Sequence, residues 1–138
     1  STRPSLTLLC LGSPKQYKPR ADFMKGFLAA GGIKGVESAP IFSIESTVLT
    51  VQEINTKYLC LCGSNEQYAE LGFEIIQLLK SEFPDRIVYL AGLPEKDEQS
   101  NWLSAGIQSF IHVKSNSYEM LSTILSDMEV PRNEHQQA

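Results

Sequence analysis

The sequence is poor in the features that narrow a function at a glance. No apolar stretch approaches the ~20 residues that span a bilayer, so no membrane association is expected. No charged segment followed by an apolar core reads as a signal peptide. The opening Ser1-Thr2-Arg3-Pro4 is polar and reads as a linker end. Basic charge is scarce: 12 Lys and Arg stand against 16 Asp and Glu, for a net charge of -4. Nucleic-acid binding requires clustered cations that neutralise phosphates, so no nucleic-acid partner is expected. The one basic cluster is Lys15, Lys18 and Arg20, which can clamp a single anion or simply solvate its loop.

Reactive side chains are equally few. The three cysteines, Cys10, Cys60 and Cys62, all sit in apolar, strand-like runs. An odd count in such runs points to buried free thiols in a reducing, cytoplasmic setting rather than to a disulfide framework. His112 falls inside an expected strand and His135 in the C-terminal tail, so neither stands beside Cys62 as a base. Cys62 is read as a core thiol, and no catalytic residue is assigned. Cys60 and Cys62 are discounted as metal ligands, their sulfurs being expected to diverge, and no metal is predicted. There is no Gly-x-Gly-x-x-Gly, no Walker loop, no internal repeat and no low-complexity segment.

What is present is an ordinary globular composition. The chain has 138 residues, 42% hydrophobic and 20% charged, enough for one core and too little for two. One domain is expected over 1–129, with a polar tail over 130–138. Apolar runs alternate with helical periodicity. Ser5–Leu11 reads as a buried strand, residues 13–19 as a polar loop, and residues 20–30 as a helix stopped by Gly31-Gly32. Residues 35–42 form a weaker strand interrupted by Pro40, and 46–54 a helix capped by Ser46. Residues 57–62 (KYLCLC) are the clearest strand. Ser64 and Gln67 resemble a capping box for a helix reaching about Lys80, with Leu71, Ile75, Leu78 and Leu79 inward. A strand over 86–91, a helix over 96–105 with Trp102 and Leu103 toward the core, a strand over 109–113 and a helix over 118–128 complete the pattern.

Five buried strands alternating with five helices imply an α/β doubly wound, flavodoxin-like parallel sheet with helices on both faces. Right-handed crossovers favour the strand order 2-1-3-4-5. Ligands of such sheets lie at the carboxyl ends of the strands, at the switch point between the first and third. Here that crevice is built by residues 12–20, by 62–66 and by the turn after strand four. A phospho-acceptor site needs acids after strand one and an Asp after strand three. Those places hold Leu11-Gly12-Ser13 and Cys62-Gly63, so Lys114 after strand five has no acids to serve. A flavin phosphate loop needs backbone donors, and Pro14 and Pro19 remove two of them.

Several runs are recognisable together. They are Leu9-Cys10-Leu11-Gly12, Arg20-Ala21-Asp22-Phe23, Gly26-Phe27-Leu28-Ala29-Ala30-Gly31-Gly32-Ile33, and Leu59-Cys60-Leu61-Cys62-Gly63-Ser64 with Tyr68-Ala69-Glu70. Val88-Tyr89-Leu90-Ala91-Gly92 and Ala105-Gly106-Ile107 through Phe110-Ile111-His112 join them. Over about residues 4–128 the chain resembles the C-terminal, cobalamin-binding-like domain of methylmalonyl-CoA mutase small subunits. The resemblance implies a large catalytic subunit as heterodimeric partner, with adenosylcobalamin bound there. In that subunit a loop motif Asp-x-His-x-x-Gly supplies the lower cobalt ligand, and the Asp orients the His. The motif falls here on Pro14, Gln16 and Pro19. A Ser-x-Leu motif falls on Cys62 and Ser64, and a Gly-Gly pair on Ala91 and Gly92. Only Gly92 keeps the family residue. Gln16 offers an amide and no basic nitrogen. The expectation is therefore a non-catalytic domain without a cofactor of its own. Two alternatives are a CoA, nucleotide or small-anion binding regulatory domain using Lys15, Lys18 and Arg20, and an atypical cobalamin carrier.

Overall fold

The three most apolar runs become the central strands, covered on both faces, while the two edge strands are only partly buried. In the computed structural model, which describes residues 3–113 and 116–129, five strands form one parallel sheet in the order β2-β1-β3-β4-β5. They are β1 (Ser5–Cys10), β2 (Lys34–Glu37), β3 (Tyr58–Cys62), β4 (Ile87–Ala91) and β5 (Ile107–Ile111). The helices are α1 (Pro14–Ala29), α2 (Ile44–Gln52), α3 (Asn65–Gln67), α4 (Phe73–Glu82), α5 (Lys96–Ala105) and α6 (Ser117–Asp127). A single π-helical turn, Tyr68–Gly72, joins α3 to α4. The order reverses between β1 and β3, which pair in register from Thr7↔Leu59 to Cys10↔Cys62. Lys114, His135 and the expected tail over 130–138 lie outside the described residues.

The alternation of side chains along the strands divides the core in two. Leu6, Leu8, Cys10, Cys60, Cys62, Tyr89 and Ala91 face α1 and α6. They pack on Tyr17, Ala21, Met24 and Leu28 of α1 and on Ile124 of α6. Leu9, Leu59, Leu61, Val88 and Leu90 face the opposite way, against Val51 of α2, Ile75, Ile76 and Leu79 of α4, and Trp102 of α5. Fully burying a Leu, Ile or Met side chain contributes about 1.5–3 kcal/mol. These two layers are therefore the main source of cohesion.

Five local expectations are corrected. The polar loop over 13–19 is the first part of α1, which begins at Pro14. A proline at the first helical position surrenders an N–H that has no partner there anyway. Pro19 lies inside the helix, where it removes one intrahelical bond but leaves Tyr17 and Ala21 facing the core. Helix α2 starts earlier than expected, and Ser43 rather than Ser46 caps it, its Oγ accepting the Ser46 N–H at 3.2 Å. The strand expected over 35–42 is only β2, followed by a lone bridge from Ile41 to Leu11. Strand β5 begins directly after Gly106 ends α5, leaving Val113 74% exposed. Trp102 is buried as expected, but Leu103, about 100° further round the helix, is 48% exposed.

Candidate functional site

The carboxyl edge of the sheet is assembled from three turns. After β1, Leu11 N–H donates to Cys62 O (2.9 Å) and Gly12 N–H to Ile41 O (2.8 Å), tying the chain to both neighbouring strands. Gly12 takes φ +85°, and Gln16 occupies the space where a side chain at 12 would stand. Ser13 begins α1. Its N–H donates to Gln16 Oε1 at 2.8 Å and its hydroxyl to the same oxygen at 3.2 Å. This is the returning half of a capping box. Gln16 is thus turned back onto the helix start. After β3, Ser64 caps the next helix, its Oγ accepting the Gln67 N–H at 3.1 Å.

Tyr68 fills the centre of this edge. It stands on the π turn, 6% exposed. Its hydroxyl accepts the Gly63 N–H (3.1 Å) and donates to Ala91 O (2.7 Å), with Leu61 O 3.0 Å away. One oxygen thereby ties the ends of β3 and β4 together. Burial, with the Cys62 and Cys60 thiols nearby, pushes the Tyr68 hydroxyl well above its ordinary range, so it stays protonated. Arg20 lies on top, its guanidinium 5.1 Å from the ring centroid. Its Nη1 donates to Gly63 O at 2.8 Å. Sequence reasoning missed Tyr68 because its spacing reads as one more inward aromatic of a helix. Only its position four residues after Ser64, at the switch point, could have drawn notice.

The three cations of the expected clamp are not brought together. Lys15 and Arg20 border one groove of about 350 Å³, with Gln16, Pro19 and residues 63–66. Lys18 turns to the β2 side, where its Nζ lies 3.2 Å from Glu37 Oε2 and 3.9 Å from Asp22. Lys25 meets the same Glu37 oxygen at 2.6 Å. These hydrogen bonds, first that of Lys25, hold the Glu37 carboxyl below its usual range. No carboxylate among the described residues pairs with Arg20.

The cysteines call for one correction. Cys60 and Cys62 do not diverge: residues two apart on a strand share a face, and both lie in the α1-side core with Cys10. All three are buried and free. Burial pushes the Cys10 thiol up to about 12. A hydrogen bond with Cys60 and burial raise that of Cys62. Cys10 and Cys62 are thus held neutral, the opposite of what a nucleophile or metal ligand needs. Among the described residues no group of three or more His, Cys, Asp and Glu is placed to hold a metal ion. No helix among them is long and apolar enough to cross a membrane.

No protein-family model matches the chain. Two curated relatives do. One is the methylmalonyl-CoA mutase small subunit of Porphyromonas gingivalis, 27% identical over 120 residues, which is 86% of this chain. The other is the methylmalonyl-CoA mutase small subunit of Streptomyces virginiae, 29% identical over 104 residues, or 75% of this chain. The chain is similar to methylmalonyl-CoA mutase small subunits. It spans 18% and 17% of the length of these two relatives.

Solved structures of another kind share its fold. A CheY-like protein from Pseudomonas aeruginosa PAO1 matches with a TM-score of 0.66 at 15% identity, covering 92% of this chain and 95% of that one. A Francisella response-regulator receiver domain matches at 0.61 and 14% identity, covering 91% and 98%. A sensor protein from Polaromonas sp. JS666 matches at 0.63 and 12%, covering 93% and 98%. At such identities the likeness speaks for the fold alone. Here the ends of β1 and β3 carry Leu11-Gly12-Ser13 and Cys62-Gly63, with no carboxylate.

Proposed function

We propose that this chain is a non-catalytic, structural domain of a mutase small subunit: a cobalamin-binding-like fold, spanning 1–129, that holds no cobalamin. The observation that carries this reading is the state of residues 14–19. By resemblance, a loop there would present the lower cobalt ligand. Here the three motif positions are wound into α1, and the Gln16 oxygen is spent on the Ser13 N–H. The donor set does not fit the cofactor, because an amide turned into a helix cap has no basic nitrogen to offer a metal. Two further features support the same reading. Tyr68 joins the ends of β3 and β4, where relatives of the catalytic type pass a nucleotide tail. Arg20 stands over Gly92, the single surviving glycine of the third motif.

Isomerisation of methylmalonyl-CoA would then belong to a large subunit that carries adenosylcobalamin, this chain's parent being its heterodimeric partner. Buried, neutral thiols are compatible with a reducing cytoplasm. The deciding experiment adds hydroxocobalamin or adenosylcobalamin to the purified chain and records the visible spectrum. No saturable change is expected. A tight base-off shift would overturn the proposal and favour the atypical-carrier reading. A second reading, capture of CoA or a nucleotide phosphate, is favoured only by Lys15 and Arg20 bordering one groove. It predicts a rise in melting temperature with CoA that Lys15→Ala abolishes.

A further inference from the structure

The edge of the sheet holds a second cavity, on the far side of Arg20 from the groove bordered by Lys15. It measures about 370 Å³ and lies between α1 and the turns that follow β4 and β5. Its walls are largely apolar: Phe23 on one side, Leu93, Ile111 and Val113 on the other. Leu93 and Val113 are 44% and 74% exposed, so the mouth is open to solvent. The volume falls within the ordinary range of small-molecule sites.

Arg20 and His112 also line the cavity, and the Arg20 guanidinium is held in place. Arg20 is fixed at one end by the bond from Nη1 to Gly63 O and beneath by the Tyr68 ring. Gly92 packs against the face of the guanidinium. A Cβ at residue 92 would stand 3.0 Å from Nε and 2.9 Å from Nη2. Gly92 has φ +121°, which favours glycine, and the missing side chain lets the guanidinium lie this close to the turn. The Nε–Nη2 edge is the fork that binds a carboxylate through two parallel hydrogen bonds. It has no acidic partner among the described residues.

We infer that this cavity is a binding site for a small amphipathic monocarboxylate, whose carboxylate takes the Arg20 fork and whose short apolar body lies against Phe23, Leu93 and Ile111. The site shares Arg20 and Gly92 with the cobalamin reading but not Gln16, whose cap carries that reading, and carboxylate binding is measured separately from cobalamin binding. Its failure would leave that reading untouched.

The test titrates the ¹⁵N-labelled chain with hexanoate, and in parallel with hexanamide and acetate, following amide signals and the Arg20 Nε–H signal. Hexanoate is expected to saturate with a Kd of about 1 mM or tighter, with hexanamide and acetate each weaker by about tenfold or more. The shifts should centre on Arg20, Gly92 and Ile111. Arg20→Lys keeps the charge and loses the fork, and should weaken hexanoate while sparing hexanamide. Leu93→Ala, at the exposed rim, should weaken both and leave their ratio unchanged. Equal binding of hexanoate and hexanamide would overturn the inference. So would an unchanged preference in Arg20→Lys, shifts centred on residues 63–66, or no saturable change with hexanoate.

Discussion

Replacing Tyr68 with phenylalanine removes one oxygen and keeps the ring. The ring's contacts with Trp102, 6.1 Å between centroids, and with the Arg20 guanidinium can persist. What is lost is the partner of the buried Gly63 N–H and one partner of the Ala91 carbonyl. An orphaned buried donor costs about 1–3 kcal/mol. The carbonyls lose less, because each keeps a second acceptor site. A loss of about 2 kcal/mol is therefore expected. For a chain of this size that corresponds to about 7 °C in Tm. Urea unfolding, followed by the fluorescence of Trp102, measures it directly, since Trp102 is the sole tryptophan and stacks on Phe73 at 4.0 Å. The midpoint should fall with the slope unchanged. A loss below about 0.5 kcal/mol would mean that water replaces the hydroxyl. The claim that Tyr68 ties β3 to β4 would then be wrong.

Two further outcomes follow from the charges and thiols. Glu37 is held below its ordinary pKa by Lys25 and Lys18, so its stabilisation is complete above the unfolded value of about 4.3 and disappears as pH falls through the lower folded value. Glu37→Gln should cost about 0.5–1 kcal/mol at neutral pH and nothing in strong acid; an equal loss at both extremes would refute the ion-pair account. The three cysteines should resist a thiol reagent in the folded chain at mildly alkaline pH and all react in denaturant, because each is buried and the Cys10 thiol is pushed up to about 12; one fast thiol in the native chain would refute their assignment to the core.

Much of the fold was legible because strands buried on both faces must be apolar throughout. Residues 57–62 and 86–91 differ from β3 and β4 by a single residue each. The doubly wound order followed from chirality rather than from any one residue. The start of α1 was not legible in the same way. Proline carries two opposite messages, a break inside a helix and a favourable first residue. Composition cannot say which applies at Pro14 until the Gln16 bond to Ser13 is seen. Tyr68 was hidden for a related reason. A π turn shifts the register of a helix by a hydrogen-bond change that leaves no trace in hydrophobic spacing.

The same distinction bears on the site. The resemblance located the positions that matter, Pro14, Gln16, Pro19, Cys62, Ser64, Ala91 and Gly92, and their side chains argued against cobalamin one at a time. Several of them do other work in the fold. Gln16 and Ser64 serve helix starts, and Ala91 supplies the carbonyl that Tyr68 binds. Cys62 fills the core beside Cys10. Restoring one family residue would therefore remove a cap or a core contact before it gained a ligand. A single substitution such as Gln16→His leaves Pro14 and Pro19 inside α1 and Tyr68 still across the strand ends, so it supplies an imidazole without the loop that would present it.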